Sequence, residues 1–255
     1  MKYMGSKNRI AKYILPIMLA ERKLGQTWVE PFVGGANLID KVQGERLGSD
    51  INPYVIDALI AIRDSVSDLP RNNTEFTESD YKKLRQSDGY KYKGYAGFAY
   101  SYGGKWLGGW SRNKRGKRDY VGESYKNALT QSHNLQGVKL VNVSYLNLQI
   151  PENSLIYCDP PYKGTTKYED GFGHSEFWQW CRDMSCEGHT VFASEYDAPS
   201  DFECCWSKEI ASSLTKDTGG KVGVEKLFRV RDALMYRGSP RRTHQTLFDW
   251  AQQQP

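Results

Sequence analysis

The segment SLIYCDPPY, residues 154–162, constrains the fold of this chain more than any other stretch. Residues 154–158 have the composition of a buried strand, and Asp159 and two consecutive prolines follow at once. Because proline brings no backbone N–H group to a sheet, the strand must end where the prolines begin. The pattern predicts a buried strand that delivers a carboxylate to the edge of a sheet.

Predicted strands and helices alternate on both sides of this segment. Before it, strands are predicted in TWVEPF, RLGSDIN and VKLVNVSY, and PYVIDALIAIRD has the apolar spacing of a helix that begins at Pro53. After it come a predicted helix, SEFWQWCRDM, the strands TVFASEY and CCWSKEI, and a hairpin around Gly219 and Gly220. We therefore predict an α/β fold with a mixed sheet, helices on both faces and a closing hairpin.

Two segments depart from this simple alternation. Residues 7–24, after a capping Ser6, have apolar residues at helical spacing, but Pro16 should kink this helix or split it. Between residues 63 and 136, polar residues, glycine and tyrosine dominate, and no long amphipathic period is visible. We predict one main domain, residues 1–62 and 137–255, interrupted by a small inserted subdomain at 63–136.

Composition narrows the class of protein. The chain has 255 residues, and it contains no run of about 20 apolar residues and no signal-peptide pattern at residue 1, so we expect a cytoplasmic protein. Its five cysteines include one vicinal pair and no CxxC, which argues against a disulfide framework. Cys181, Cys186 and His189 are conceivable metal ligands, but no fourth ligand is evident, and we expect no metal.

A first candidate site lies in VEPFVGGAN, residues 29–37. Glu30 ends a predicted strand, and Gly34 and Gly35 make a tight turn after it. Asp50, at the tip of the next predicted strand, is placed to bind ribose hydroxyls. Because both acids would repel phosphates, the segment favours a cationic nucleoside such as S-adenosylmethionine over a dinucleotide. An ordinary turn with two surface acids is the alternative.

A second candidate site is the exit of the strand at residues 159–162. Asp159 offers acceptor oxygens, and the two prolines leave only carbonyl acceptors on the neighbouring backbone. Tyr162 adds a flat aromatic face. Acceptors beside an aromatic plate describe a pocket for an exocyclic amino group on a planar ring. The alternative is a rigid strand exit with a solvated aspartate and a packed tyrosine.

Four motifs in order carry a resemblance to a known family. They are KYMGSK (2–7), EPFVGGA (30–36), DIN (50–52) and DPPY (159–162). Together they resemble the D12 class of adenine-N6-specific DNA methyltransferases, in the motif order of the Dam-like alpha group. The inserted segment matches only loosely, through SYGGKWLGGW. The resemblance implies a Rossmann-like methyltransferase fold that uses S-adenosylmethionine to methylate N6 of a flipped adenine at specific sites in double-stranded DNA.

The resemblance also implies residue roles. The expected cofactor-binding residues are Tyr3, Lys7, Glu30, Pro31, Phe32, Gly34, Asp50 and Asp159. Within this set, Lys7 would lie near the methionine carboxylate and Asp50 near the ribose. The expected catalytic residues are Asp159, Pro160, Pro161 and Tyr162. Asp159 and the Pro160 carbonyl would accept hydrogen bonds from the N6 amino group, while Tyr162 would stack on the adenine.

The inserted segment carries the candidate DNA contacts. Six basic residues, with no acid among them, are expected to meet phosphates: Lys105, Arg112, Lys114, Arg115, Lys117 and Arg118. Tyr102, Trp106 and Trp110 are candidate wedge or stacking residues. A second basic patch is expected at Lys221, Lys226, Arg229 and Arg231. A solvated basic loop is the alternative. The expected partner is double-stranded DNA, without a membrane, for a monomer or weak dimer in a bacterial or phage-infected cell.

Other readings of the chemistry stay open at this point. RNA or a protein glutamine could replace DNA as the substrate, although related signatures for those substrates more often contain Asn-Pro-Pro-Tyr. A DNA-binding module that has lost activity is a second alternative, and cytosine-N4 methylation a lesser one. The insert's target sequence is not predicted, partly because Ser194–Tyr196 stands where some relatives have Ser-Asn.

Overall fold

The computed structural model describes residues 1–87, 89–113, 118–162, 172–211 and 222–230. Within them, seven strands form one sheet in the order β3-β2-β1-β4-β5-β7-β6. The strands are β1 (Trp28–Glu30), β2 (Arg46–Ser49), β3 (Val138–Val141), β4 (Leu155–Cys158), β5 (Thr190–Glu195), β6 (Phe202–Ala211) and β7 (Val222–Val230). β1 to β5 are parallel, and β7 runs antiparallel to both β5 and β6. The predicted mixed sheet is confirmed.

Helices cover both faces of this sheet, as predicted. They are α1 (Ala11–Ala20), α2 (Pro53–Asp64), α3 (Glu78–Leu84), α4 (Lys93–Ala99), α5 (Tyr120–Leu135) and α6 (His174–Cys186). In β4, Leu155 and Tyr157 pack with α1, α2, α4 and α5, whereas Ile156 and Cys158 pack with α6. This alternation buries both faces of a parallel strand, which explains its continuous apolar sequence.

Pro16 does not split the first helix. Ser6 caps a short turn at Lys7–Arg9, accepting a hydrogen bond from the Asn8 N–H at 3.3 Å, and α1 then runs through Pro16. Pro16 and Lys12, whose carbonyl loses its helical partner to the proline, are both exposed. Water can therefore replace the missing hydrogen bond. The helix is also shorter than the predicted 7–24.

The expectation for residues 63–136 is wrong in one respect, because a long amphipathic helix is present there. Asp119 caps α5 by accepting a hydrogen bond from the Gly122 N–H at 2.9 Å. Val121, Ala128 and Leu135, seven residues apart, face the core, and mostly polar or small residues between them hide the pattern. These side chains join the cluster that α1 and α2 form. The division into a main domain and a subdomain stays a prediction.

The closing hairpin is formed by β6 and β7. Their register runs from Phe202 opposite Val230 to Ala211 opposite Val222, with one irregularity between Cys204 and Trp206. CCWSKEI is thus the first arm of the hairpin, and the predicted turn at Gly219 and Gly220 lies outside the described residues. In the described part of the chain, no helix is long and apolar enough to cross a membrane.

Candidate active site

Three acidic side chains lie at the carboxyl ends of neighbouring parallel strands. Glu30 is the last residue of β1, Asp50 follows β2, and Asp159 follows β4. Because β1 pairs in parallel with both β2 and β4, the three strands end side by side. We call the residues Glu30, Asp50 and Asp159 the carboxyl edge. It lies where the strand order reverses next to β1, the position at which open α/β sheets bind ligands.

Glu30 is almost completely buried in this edge, with 3% of its surface exposed. The Trp28 indole Nε1–H donates a hydrogen bond to Glu30 Oε1 at 2.8 Å. Burial raises the pKa of Glu30 to about 8, because the charged form loses hydration that one indole donor does not replace. Near neutral pH this carboxyl group is mostly protonated, so it ionises readily only when a cationic group approaches.

Asp50 is fixed by two backbone donors. Its Oδ2 accepts from the Gly34 N–H at 3.1 Å and its Oδ1 from the Asn52 N–H at 2.9 Å. Burial raises its pKa, and the two backbone hydrogen bonds oppose that rise. The side chain of Ile51 beside it is 74% exposed. An oriented carboxylate therefore stands next to an uncovered apolar side chain.

The glycine turn is covered by the N-terminal segment. Gly34 has a φ of +47°, and a Cβ atom there would lie 2.9 Å from Tyr3 Cε1. A Cβ atom on Gly35 would lie 2.7 Å from Tyr3 Cβ. The close approach that these glycines permit is therefore used by Tyr3, whose ring also lies 5.3 Å from that of Phe98. Tyr3 is in place to fix the glycine turn that follows β1.

Pro31 and Phe32 link the carboxyl edge to the second face of the sheet. Pro31 is buried, and the Phe32 ring lies 5.1 Å from Tyr145 and 5.8 Å from Phe177 on α6. Phe172 packs edge-on against Phe32 at 5.9 Å. This aromatic cluster holds the backbone after Glu30 rigidly.

Lys7 reaches the DPPY motif. Its Nζ lies 3.0 Å from Asp159 Oδ1 and 3.7 Å from Glu225 Oε2. It also lies 4.5 Å from the centroid of the Tyr162 ring. Burial acts to lower the pKa of Lys7, but attraction by the two carboxylates outweighs it and the pKa is raised. Lys7 is a charged group at the DPPY motif, whereas the resemblance predicts a place for it near the methionine carboxylate of the cofactor.

Asp159 itself has a side chain that is 22% exposed. Burial raises its pKa, and the ion pair with Lys7 opposes that shift. Pro160, which follows it, is buried, and Pro161 is half-buried. The Asp159 carboxyl group therefore lies partly exposed, on backbone that the two prolines stiffen.

Tyr162 is anchored at its hydroxyl and at its ring. The Tyr162 hydroxyl donates a hydrogen bond to Glu225 Oε2 at 3.0 Å. The ring of Tyr196 packs edge-on against the ring of Tyr162, with 4.7 Å between the ring centroids. The sequence did not point to Glu225, and it pointed to Tyr196 only as part of Ser194–Tyr196, without a role at Tyr162. Tyr196 directly follows β5 and so shared the strand-end signal, but Glu225 lies within β7, where only the hairpin register shows which residues it faces.

The comparisons with known proteins now decide the family. A family model described as D12 class N6 adenine-specific DNA methyltransferase matches residues 3–194. The chain belongs to this family. It is a methyltransferase, and its cofactor is S-adenosylmethionine. A search of curated proteins finds no match.

Two solved structures resemble this methyltransferase at low identity. One is tRNA (m1A58) methyltransferase TrmI from Aquifex aeolicus, with 10% identity, a TM-score of 0.40, and coverage of 90% of this chain and 70% of that one. The other is SMU.472 complexed with SAH, with 10% identity and a TM-score of 0.35, over 89% of this chain. The alignment spans 52%, about half, of the SMU.472 chain.

The carboxyl edge of the methyltransferase fits S-adenosylmethionine. Its acids suit ribose hydroxyls and positively charged groups, whereas they would repel the phosphates of a dinucleotide. Glu30 in particular is a buried acid, and its charged form is stabilised only when a cation lies beside it. Cys181, Cys186 and His189 do not gather into a metal-binding group, and His189 Nδ1 instead accepts a hydrogen bond from the Ser154 N–H at 3.0 Å.

The predicted DNA contacts of the methyltransferase lie in different environments. Tyr102 is 59% exposed, whereas Trp106 stacks on Tyr54 at 4.3 Å and Trp110 packs against Tyr81 at 5.6 Å. Lys105 is half-buried. Lys114, Arg115, Lys117, Lys221 and Arg231 lie outside the described residues.

Two of the arginines predicted to contact phosphate are exposed and form ion pairs. Arg112 contacts Glu78, and Arg118 contacts Glu123 through two hydrogen bonds of 2.6 and 2.7 Å. In the hairpin, Arg229 contacts Glu203 at 3.0 Å, and the Lys226 Nζ lies 5.9 Å from the Phe228 ring centroid. Exposed pairs of this kind contribute at most about 1 kcal/mol, so a phosphate can replace the carboxylate.

Proposed function

We propose that this protein transfers a methyl group from S-adenosylmethionine to N6 of a flipped adenine, at a specific sequence in double-stranded DNA. One observation carries the proposal. Asp159 and Tyr162 lie together at the end of β4, next to the strand that carries Glu30, in a chain whose family acts on adenine N6. An acceptor and an aromatic face thus border the cofactor residues.

Asp159 and Pro160 orient the amino group. The adenine N6 lone pair is delocalised into the ring, so the nitrogen is a weak nucleophile. Asp159 Oδ1 and the Pro160 carbonyl accept its two hydrogens, which favours a pyramidal nitrogen with its lone pair directed at the donor. Orientation of this kind, with charge placed for the transition state, supplies the main rate enhancement.

Bound S-adenosylmethionine supplies an electrophilic methyl group on a sulfonium centre. The N6 lone pair forms the new nitrogen–carbon bond, and the electron pair of the broken sulfur–carbon bond stays on sulfur. The surplus proton on N6 passes to the Asp159 carboxylate and then to water. Burial raises the pKa of Asp159, which makes the carboxylate a better proton acceptor than an exposed aspartate.

Three residues at and beside the carboxyl edge would hold the cofactor. Asp50, oriented by Gly34 and Asn52, accepts hydrogen bonds from the ribose. Ile51, whose side chain is exposed beside Asp50, would offer an apolar contact to the adenine ring of the cofactor. Glu30 would attract the positive groups of the methionine part and would ionise as they bind.

The DNA lies against the inserted segment and near Tyr162. Extrusion of the adenine is required because N6 cannot reach the methyl donor inside the base stack, and unstacking costs a few kcal/mol. Arg112 and Arg118 exchange Glu78 and Glu123 for phosphates, and Tyr102 is the exposed aromatic that can fill the gap in the stack. The bacterial or phage-infected cytoplasm and the monomer or weak dimer stay predictions from the sequence.

Methyl transfer from labelled S-adenosylmethionine to unmethylated genomic DNA, total RNA and a protein extract tests the proposal. Nucleoside analysis of the DNA should give N6-methyladenine as the labelled product. Label in RNA or protein alone would replace DNA with that substrate, and N4-methylcytosine would change the base. Cofactor binding without transfer to any of the three would identify an inactive binding module.

A further inference from the structure

Glu225 lies outside the residues that match the family model, which end at 194. It is part of β7, which runs antiparallel to β5, with Lys226 opposite Glu195. Glu195 is the last residue of β5, so the first half of β7 lies beside the carboxyl ends of the parallel strands. The hairpin therefore brings one further acid to the active site from a distant part of the chain.

A single oxygen of Glu225 serves two catalytic-site residues. Oε2 accepts the hydrogen bond of the Tyr162 hydroxyl at 3.0 Å and lies 3.7 Å from Lys7 Nζ. The Glu225 side chain is 21% exposed, so both interactions are partly shielded from water. Charge-assisted contacts in such a setting are stronger than on an open surface.

In the proposed reaction, Lys7 and the target amino group compete for the same oxygen of Asp159. The Lys7 Nζ lies 3.0 Å from Oδ1, the oxygen that the target amino group also needs. A buried ammonium cannot simply be left unpaired, because removing one partner of a buried ion pair is strongly destabilising. A second carboxylate, already 3.7 Å away, lets the flexible Lys7 side chain move without losing its charge partner.

We propose that Glu225 is a positioning residue for methyl transfer: it fixes Tyr162 through its hydroxyl and takes Lys7 from Asp159 when the target amino group enters. This inference rests on the proposed function. Lys7 occupies the place of the amino group in the free enzyme and keeps Asp159 ionised. When the base arrives, Lys7 pairs with Glu225, and Asp159 Oδ1 accepts from the target amino group.

Glu225 also determines the plane of the stacking ring. The hydroxyl end of Tyr162 is held by Glu225, and the edge of Tyr196 meets the ring. Restraint at both places holds the aromatic face that receives the adenine in one orientation. Loss of Glu225 should therefore lower the rate of transfer more than it weakens binding of S-adenosylmethionine.

The test compares Glu225→Gln and Glu225→Ala with Glu209→Gln, which removes the same charge from an exposed position on the same hairpin. Measurements are kcat and KM for unmethylated genomic DNA, the Kd for S-adenosylmethionine, and thermal unfolding. Glu225→Gln should lower kcat by about tenfold, the loss expected for one charge-assisted contact, with the cofactor Kd within about twofold of wild type. Glu225→Ala should lose more, and Glu209→Gln should match wild type.

A double-mutant cycle with Lys7→Met separates positioning from a general loss of structure. If Glu225 acts through Lys7, Glu225→Gln should add little to the loss that Lys7→Met already causes. Full additivity, or wild-type kcat in Glu225→Gln, would overturn the inference while an active wild type keeps the proposed function. An inactive wild type on DNA would overturn both. The isosteric Gln variant keeps the test valid should the Ala variant fail to fold.

Discussion

The carboxyl edge and the segment 63–136 of this methyltransferase show how differently two kinds of sequence signal behave. At the edge, Glu30, Asp50 and Asp159 each lie at the end of a strand, as the sequence predicted. In the segment, aromatic residues predicted to face DNA are divided between the surface, with Tyr102, and packed positions, with Trp106. A position at the end of a predicted strand therefore predicts where a side chain lies in the fold, whereas the residue type alone does not.

The largest effect on stability should come from a substitution at Trp106. This substitution tests whether the aromatic side chains of segment 63–136 belong to the core. Trp106→Ala removes the stacking with Tyr54 and the contact with Phe98, and should lower the free energy of unfolding by about 3 kcal/mol. Tyr102→Ala, the exposed control, should change it by less than about 0.5 kcal/mol. Urea unfolding measures both. Equally small losses of stability in both variants would mean that Trp106 is a surface residue, like Tyr102.

At the carboxyl edge, the burial of Glu30 can be tested through the pH dependence of stability. Burial raises its pKa from 4.5 to about 8, so the folded state binds this proton more tightly than the unfolded chain. The resulting stability is complete below pH 4.5 and is lost as the pH rises through about 8. Glu30→Gln removes this loss, and relative to wild type it should gain on the order of 2 kcal/mol between pH 6 and pH 8 in the cofactor-free protein.

Thermal unfolding of both proteins across this pH range measures the effect of Glu30. The same Glu30→Gln variant should bind S-adenosylmethionine more weakly, since it cannot supply a negative charge. A pH-independent difference in stability between the two proteins would show that Glu30 does not titrate as its burial requires.

Tyr162 sharpens the comparison, because here an aromatic ring does lie at the carboxyl edge. Tyr162→Ala should lower kcat/KM for DNA by about 10- to 100-fold, since base stacking on an aromatic contributes about 1–3 kcal/mol. Tyr162→Phe keeps the ring and loses the hydrogen bond to Glu225, so its loss should be smaller. Steady-state kinetics separate the two. A Phe variant as impaired as the Ala variant would assign the role of Tyr162 to its hydroxyl.

The smallest effect on stability should come from the basic residues of the segment that are predicted to meet phosphates. Charge reversal of Arg112 and Arg118 should leave unfolding nearly unchanged, because their surface ion pairs contribute at most about 1 kcal/mol. The slope of log K against log salt for DNA binding should fall by about 0.9 for each phosphate contact removed. Binding titrations at several salt concentrations measure this slope. An unchanged slope would direct the search for the DNA surface to the hairpin.

The strands along the chain and the position of the acids at strand ends could be predicted from the sequence because each rests on local patterns. SLIYCDPPY gives a buried strand with a definite end, and Pro53 marks the start of α2. Helix α5 escaped prediction because its core-facing residues are seven apart among polar neighbours. Glu225 escaped because its contacts depend on the hairpin register, which joins β7 to a motif more than sixty positions earlier.

Asp159→Ala, measured beside Asp57→Ala, tests the central claim most directly. Asp57 is an exposed carboxylate on α2 and serves as the matched control. Transfer of labelled methyl groups to unmethylated DNA should fall by about a thousandfold in Asp159→Ala and stay at the wild-type level in Asp57→Ala, with cooperative unfolding retained in both. Near-normal N6-methyladenine formation by Asp159→Ala would contradict the assignment of Asp159 as the acceptor for the target amino group.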